Sequence, residues 1–138
     1  MSVVRQFHTA MGLPAPASPP LQADPESVRF RMRLLSEEYT EVMEELARLT
    51  VPSSPAETLD KFRRLLKELA DLRYVLEGAA VTFGLPIDPA FAEVHRSNMS
   101  KLDDDGKPIK DVGGKVLKGP NYSPADLTTL LPEFIDAP

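Results

Sequence analysis

Cysteine and tryptophan are both absent from this chain. Without cysteine there is no disulfide and no thiolate metal site, and the composition suits a reducing cytoplasm, which is the expected location. Long apolar runs are missing too. Nothing approaches the roughly 20 residues that span a bilayer. The N-terminus carries Arg5 but lacks the apolar stretch of a signal peptide, so no membrane partner is expected. Positive charge is in short supply. A formal net charge of −5 argues against a general nucleic-acid binder, although a local basic patch can still handle phosphates.

What is present is an ordinary globular composition. The chain has 138 residues, 42% hydrophobic and 27% charged, enough for a real core. Fourteen prolines is a high number, and most of them stand where they punctuate helices. Residues 1–23 read as a short amphipathic helix (Val3, Val4, Phe7, Met11) followed by the proline-rich linker Leu13–Pro20. The main domain is expected over 24–138. Asp24-Pro25-Glu26 is a helix start, with a capping acceptor, proline at the first position and an acid in the first turn. The apolar residues Val28, Met32, Leu35, Tyr39, Val42, Leu46 and Leu49 then recur at alternating steps of four and three, one continuous helical stripe ending before Pro52.

Ser54-Pro55-Ala56-Glu57 is a capping box, opening a second long helix that Gly84 and Pro86 stop. Asp88-Pro89 begins a third, carrying Phe91 and Val94. Phe62, Phe83 and Phe91 are expected in the core. After Lys101 the runs Asp103–Pro108 and Asp111–Lys115 are turn chemistry, predicting a small hairpin or a mobile loop. Ser123-Pro124-Ala125-Asp126 predicts one last short helix. No internal sequence repeat is evident. The fold expected is all-α, a bundle of about four to five helices with a C-terminal loop or hairpin.

Two acidic clusters hold the chemistry: Glu37-Glu38-x-x-Glu41 and Glu68-x-x-Asp71. Residues three and four apart share a helix face, so each cluster aims its carboxylates together. Both lie beside apolar positions, at the seam where helices meet and where an unpaired carboxylate is costly. Glu45 continues the first strip. Four or five carboxylates from two facing helices are tenable if cations occupy the pocket, and the hard cations that prefer carboxylate oxygen are Mg²⁺, Mn²⁺ and Ca²⁺. Two or three such ions about 4 Å apart grip a polyphosphate and activate a water. Glu37, beside the pair but off its strip, is the candidate base. The competing reading is a solvated face held by ion pairs, which Arg63, Arg64, Lys67 and Arg73 are placed to supply.

These motifs resemble the signature of the all-α nucleoside triphosphate pyrophosphohydrolases, the superfamily of the MazG-like proteins, the dimeric dUTPases and phosphoribosyl-ATP pyrophosphohydrolase. The spacer, residues 42–67, is towards the long end for that superfamily. Val94–Leu102 is similar to its third-helix motif, and Asp105–Pro108 with Lys118–Tyr122 resemble the C-terminal segment of one MazG-like branch. The resemblance covers roughly 25–127; residues 1–23 show nothing familial. It implies hydrolysis between the α- and β-phosphates, releasing a nucleoside monophosphate and pyrophosphate. It makes Glu38, Glu41, Glu68 and Asp71 the Mg²⁺ ligands, with Mn²⁺ able to substitute and two or three ions per site. Glu37 then binds a further ion or activates the water, and Asn98 and Lys101 contact the nucleotide's sugar or phosphates. A homodimer or dimer of dimers is implied.

The substrate expected is dUTP, in a house-cleaning role. The alternative is a broad (d)NTP pyrophosphohydrolase of MazG type; phosphoribosyl-ATP is expected less, since nothing singles out that bulkier ligand. Further substrate contacts are read from the residues. Arg96, with His95, either steadies phosphates or forms a surface pair. Lys118, with Lys107, Lys110 and Lys115, either closes as a flap over the triphosphate or stays a solvated basic loop. Tyr122 either stacks on a base or packs the loop. A reading from another class is a helical regulatory protein whose acids bind Ca²⁺ or nothing. Asp103–Gly106 lacks the alternating ligands and terminal Glu of an EF-hand.

Overall fold

A computed structural model describes residues 2–131. The fold is all-α: α1 spans Val3–Ala10, α2 Pro25–Leu49, α3 Pro55–Thr82 and α4 Ile87–Met99, with no strand among the described residues. No single described helix is long and apolar enough to cross a membrane.

The limits of α2 and α3 follow from local chemistry. The Asp24 carboxylate accepts from the backbone N–H groups of Glu26 and Ser27, with Pro25 at the first helical position. Ser54 and Glu57 complete both halves of the capping box. Gly84, at φ +62°, ends α3, and the Leu85 N–H returns to the Ala80 carbonyl at 2.8 Å. The start of α4 differs from the sequence expectation. Pro86 is the cap residue and makes no side-chain cap hydrogen bond, so Asp88 falls inside the first turn rather than before it. There its charge suits the helix dipole, and Pro89 occupies a position whose N–H is unneeded.

The chain forms two compact units, the first ending at Leu85 and the second beginning at Pro86. In the first, α2 and α3 pack as a hairpin, and α1 lies against α3. The hairpin is antiparallel: Glu45 meets Arg64 while Glu41, one turn earlier, meets Glu68, one turn later. The proline-rich linker folds back on α1. Arg5 donates to the carbonyls of Ala15 and Pro16 at 2.8 and 3.1 Å, and His8 Nδ1 to that of Pro14 at 2.7 Å.

Burial corrects the expected core. The buried apolar side chains are Val4, Val42, Leu65, Ala80 and Val81. Phe62 is 54% and Phe91 72% exposed, so neither lies in the core, and Met32 and Tyr39 of the α2 stripe are exposed as well. With α2 and α1 packed on it, α3 still carries an exposed apolar face, Leu59, Phe62, Leu66 and Leu69, at helical spacing.

In the second unit, the segment after α4 is neither a regular hairpin nor a helix. It holds two equivalent tight turns. The Asp103 Oδ1 accepts from the amides of Asp105 and Lys107, and the Asp111 Oδ1 from those of Gly113 and Lys115. Each turn is closed by one isolated antiparallel bridge, Leu102 with Pro108 and Lys110 with Val116. The pattern Asp-x-x-Gly-Lys thus recurs eight residues on, a short internal repeat where none was expected. Proline and paired glycines keep the bridges from growing into a ladder. The helix expected after Ser123 is absent. Asp126 instead accepts from the N–H and hydroxyl of Thr128, opening a single turn at 128–130.

Candidate active site

The antiparallel register of α2 and α3 sets the acids against one another. Glu38 and Glu41, three apart on α2, and Glu68 on α3 each offer an oxygen to a group lying within 4.8 Å of one another. Glu38 and Glu68 are half-buried and Glu41 is exposed. The Glu38 Oε2 atom is buried and has no hydrogen-bond partner. The Glu41 carboxyl is held above its usual range, first by the hydrogen bond it shares with Glu68, then by burial and by the charges of Glu68 and Glu38. Carboxylates this close share a proton or a cation; they do not all stay ionised side by side.

Of the four basic residues near enough in sequence to neutralise these acids, one reaches them. Lys67 Nζ stands 3.0 Å from the Glu68 Oε2 and 2.9 Å from the Asp71 Oδ2. These two contacts hold the ammonium well above its ordinary range. Arg64 pairs instead with Glu45 and Asp60, and Arg73 with Glu77. The solvated or salt-bridged reading therefore fits Glu45, which Arg48 and Arg64 neutralise. It fails for Glu38, which has an orphaned oxygen. Asp71 is drawn to Lys67 and lies outside the group of three, while Glu37 is exposed on α2. The sequence offers Lys67 as one of four possible ion-pair donors, and its place four residues before Asp71 is the spacing at which a helix forms such a pair.

The donor set fits a hard divalent cation. Three carboxylates, one with an oxygen that has no other partner, offer oxygen ligands alone, the preference of Mg²⁺ and Mn²⁺.

In the second unit, α4 presents Asn98 and the turn after it Lys101, whose Nζ donates to the Asn98 Oδ1 at 2.7 Å. Arg96 is committed elsewhere: its Nε and Nη2 clamp Glu93 and its Nη2 donates to the Pro124 carbonyl. It braces the tail on α4, as do the contacts between Ser100 and Ser123. Lys118 lies over the face of Tyr122, Nζ 4.4 Å from the ring centroid. His95 is exposed on α4.

Residues 4–98 match the family phosphoribosyl-ATP pyrophosphohydrolase, a span that holds every acid of the cluster. The chain belongs to that family. It lies within the all-α, MazG-like pyrophosphohydrolases, so the class of reaction is pyrophosphate-bond hydrolysis in a nucleotide triphosphate. The match begins in α1, where the motifs alone showed nothing familial, and ends at Asn98, before the paired turns and Lys118. Comparison with individual curated proteins finds no match.

Proposed function

We propose that this pyrophosphohydrolase is divalent-metal-dependent and cleaves between the α- and β-phosphates, releasing a nucleoside monophosphate and pyrophosphate. The observation that carries the reading is the buried, partnerless Glu38 oxygen within the Glu38, Glu41 and Glu68 group. Those three residues, with Asp71, would hold two or three Mg²⁺ or Mn²⁺ ions. Bound there, such ions neutralise phosphate oxygens and lower the pKa of a water. Glu37, exposed beside the cluster, takes the proton as the water oxygen attacks the α-phosphorus and pyrophosphate departs. Asn98 and Lys101 are the proposed sugar or phosphate contacts, with Lys118 and Tyr122 on the segment beyond them. Arg96, tied to Glu93, positions that segment rather than touching the nucleotide.

The working unit is a homodimer or a dimer of dimers. The second apolar face of α3 supports this, since a contiguous exposed stripe of Leu and Phe on a helix marks a surface meant to be covered.

For substrate, dUTP is the first candidate, because the lysine-bearing segment after Asn98 lies outside the family match and resembles a MazG-like branch. A broad (d)NTP range is the alternative. The family match itself favours a second reading, phosphoribosyl-ATP. The test is a Mg²⁺-dependent hydrolysis panel of dUTP, the other deoxy- and ribonucleoside triphosphates and phosphoribosyl-ATP, with products separated by chromatography. Turnover of dUTP alone supports the first candidate, many nucleotides the broad enzyme, and phosphoribosyl-ATP alone the second reading. No turnover of any would sink the enzymatic proposal.

A further inference from the structure

We infer that Lys67 is a resident cation of the acidic site, which a divalent ion must displace to reach Glu68 and Asp71. This rests on the metal-dependent reading above and adds to it a residue of this chain. The ammonium makes two contacts at once, 3.0 Å to Glu68 and 2.9 Å to Asp71. Glu68 is also one of the three clustered carboxylates, so Lys67 and a metal ion compete for the same side chain. Asp71 completes the motif in sequence yet stands outside the cluster in space, and its bond to Lys67 accounts for that.

Lysine is suited to this role. Its charge is compact and rides on a flexible stem, and the Lys67 side chain is 64% exposed, free to swing into solvent. A planar guanidinium with fixed forked donors would be harder to dislodge. The arrangement keeps part of the negative charge compensated without metal and sets a threshold concentration for loading. The exposed ammonium keeps both ion pairs weak, although the Glu68 side chain is only 13% exposed. Removing both makes the competition worth about three- to tenfold in metal affinity.

The experiment is calorimetric titration of Mn²⁺ into the full chain without nucleotide, on wild type, Lys67→Gln and Arg63→Gln. The Arg63 variant removes the same charge from α3, at a residue that none of the described ion pairs involves, and so corrects for the general rise in negative potential. Lys67→Gln should bind Mn²⁺ about three- to tenfold more tightly than Arg63→Gln. Its melting temperature without metal should fall, while the rise produced by Mn²⁺ should grow. Equal affinity in the two variants, or weaker binding in Lys67→Gln, would overturn the inference and leave Lys67 a brace along α3, while the metal site itself stood. Absence of saturable binding in all three proteins would overturn both the inference and the metal-dependent reading.

Discussion

The Nη2 of Arg31 lies 3.2 Å from the Nε2 of His8, joining α2 to α1 through two buried side chains. The His8 Nδ1 faces the Pro14 carbonyl, which only accepts, so the proton sits on Nδ1 and Nε2 accepts from the guanidinium. No described carboxylate pairs with Arg31, and its Nε has no hydrogen-bond partner. Gly78 makes the room: a Cβ there would stand 3.0 Å from the Arg31 Nη1. His8→Ala should therefore destabilise the protein by about 2–3 kcal/mol, because a buried charged donor loses its acceptor. Denaturant unfolding measures the loss, and faster amide exchange in α1 locates it. A change below about 0.5 kcal/mol would mean the pair does not anchor α1.

Glu41→Gln should have opposite effects with and without metal. The Glu41 carboxyl is raised. A raised carboxyl favours the folded state below its unfolded value, and that contribution is lost as pH rises through the folded one. At neutral pH without metal, the variant should thus melt higher than wild type. With saturating Mg²⁺ the order should reverse, and metal affinity should drop at least about tenfold. Thermal melts at several metal concentrations check both limbs. A variant less stable than wild type without metal would contradict the repulsion.

The C-terminal segment should stay docked into acid. Glu93 is held at about 2, first by Arg96 and then by the Asp126 amide that donates to it. A lowered carboxyl contributes stability above its ordinary value of 4.5, lost as pH falls from there towards 2. The Asp126 amide resonance should hold its docked shift down to about pH 4.5 and move as pH falls from there towards 2. Glu93→Gln should speed amide exchange over 123–126 at neutral pH.

Gly84→Ala meets two penalties at one site. The residue sits at φ +62°, and a Cβ would come within 2.5 Å of the Ser18 backbone. The left-handed conformation alone costs an L-residue about 1–2 kcal/mol, and the clash adds to it. A loss of about 2 kcal/mol or more is expected by denaturant titration. Gly106→Ala is the comparison: it shares the positive φ but has open space around it, and should cost less.

Leu66→Asp should dissociate the proposed oligomer. Covering a leucine or phenylalanine contributes about 1.5–3 kcal/mol, and a charge in its place adds a desolvation cost. Light scattering should show a smaller mass than wild type at equal concentration, with helicity by circular dichroism retained. A monomeric wild type would remove the premise.

Much of this protein was legible before any packing was known. The limits of α2 and α3, the stop at Gly84 and the convergence of Glu38 with Glu41 depend on side chains within one or two turns of each other, and such short-range chemistry is written in order along the chain. The α4 start slipped because proline there acts by what it lacks, not by a side-chain cap. The turn after Asp126 replaced a helix because Asp126 bonds forward to Thr128 and satisfies the backbone locally.

Which of several available partners each group takes is a matter of packing. Local chemistry along the chain specifies two long capped helices with acids at set positions. It was equally consistent with every nearby base neutralising those acids. Packing of α2 on α3 brings Glu68 against Glu41, sends Arg64 to Glu45, and leaves the Glu38 oxygen buried and alone. The same packing covers Val42 and Leu65 and leaves Phe62 exposed, because α2 and α1 together leave that face of α3 uncovered. Spacing along a helix specifies a face; what that face meets is set by residues distant in the chain.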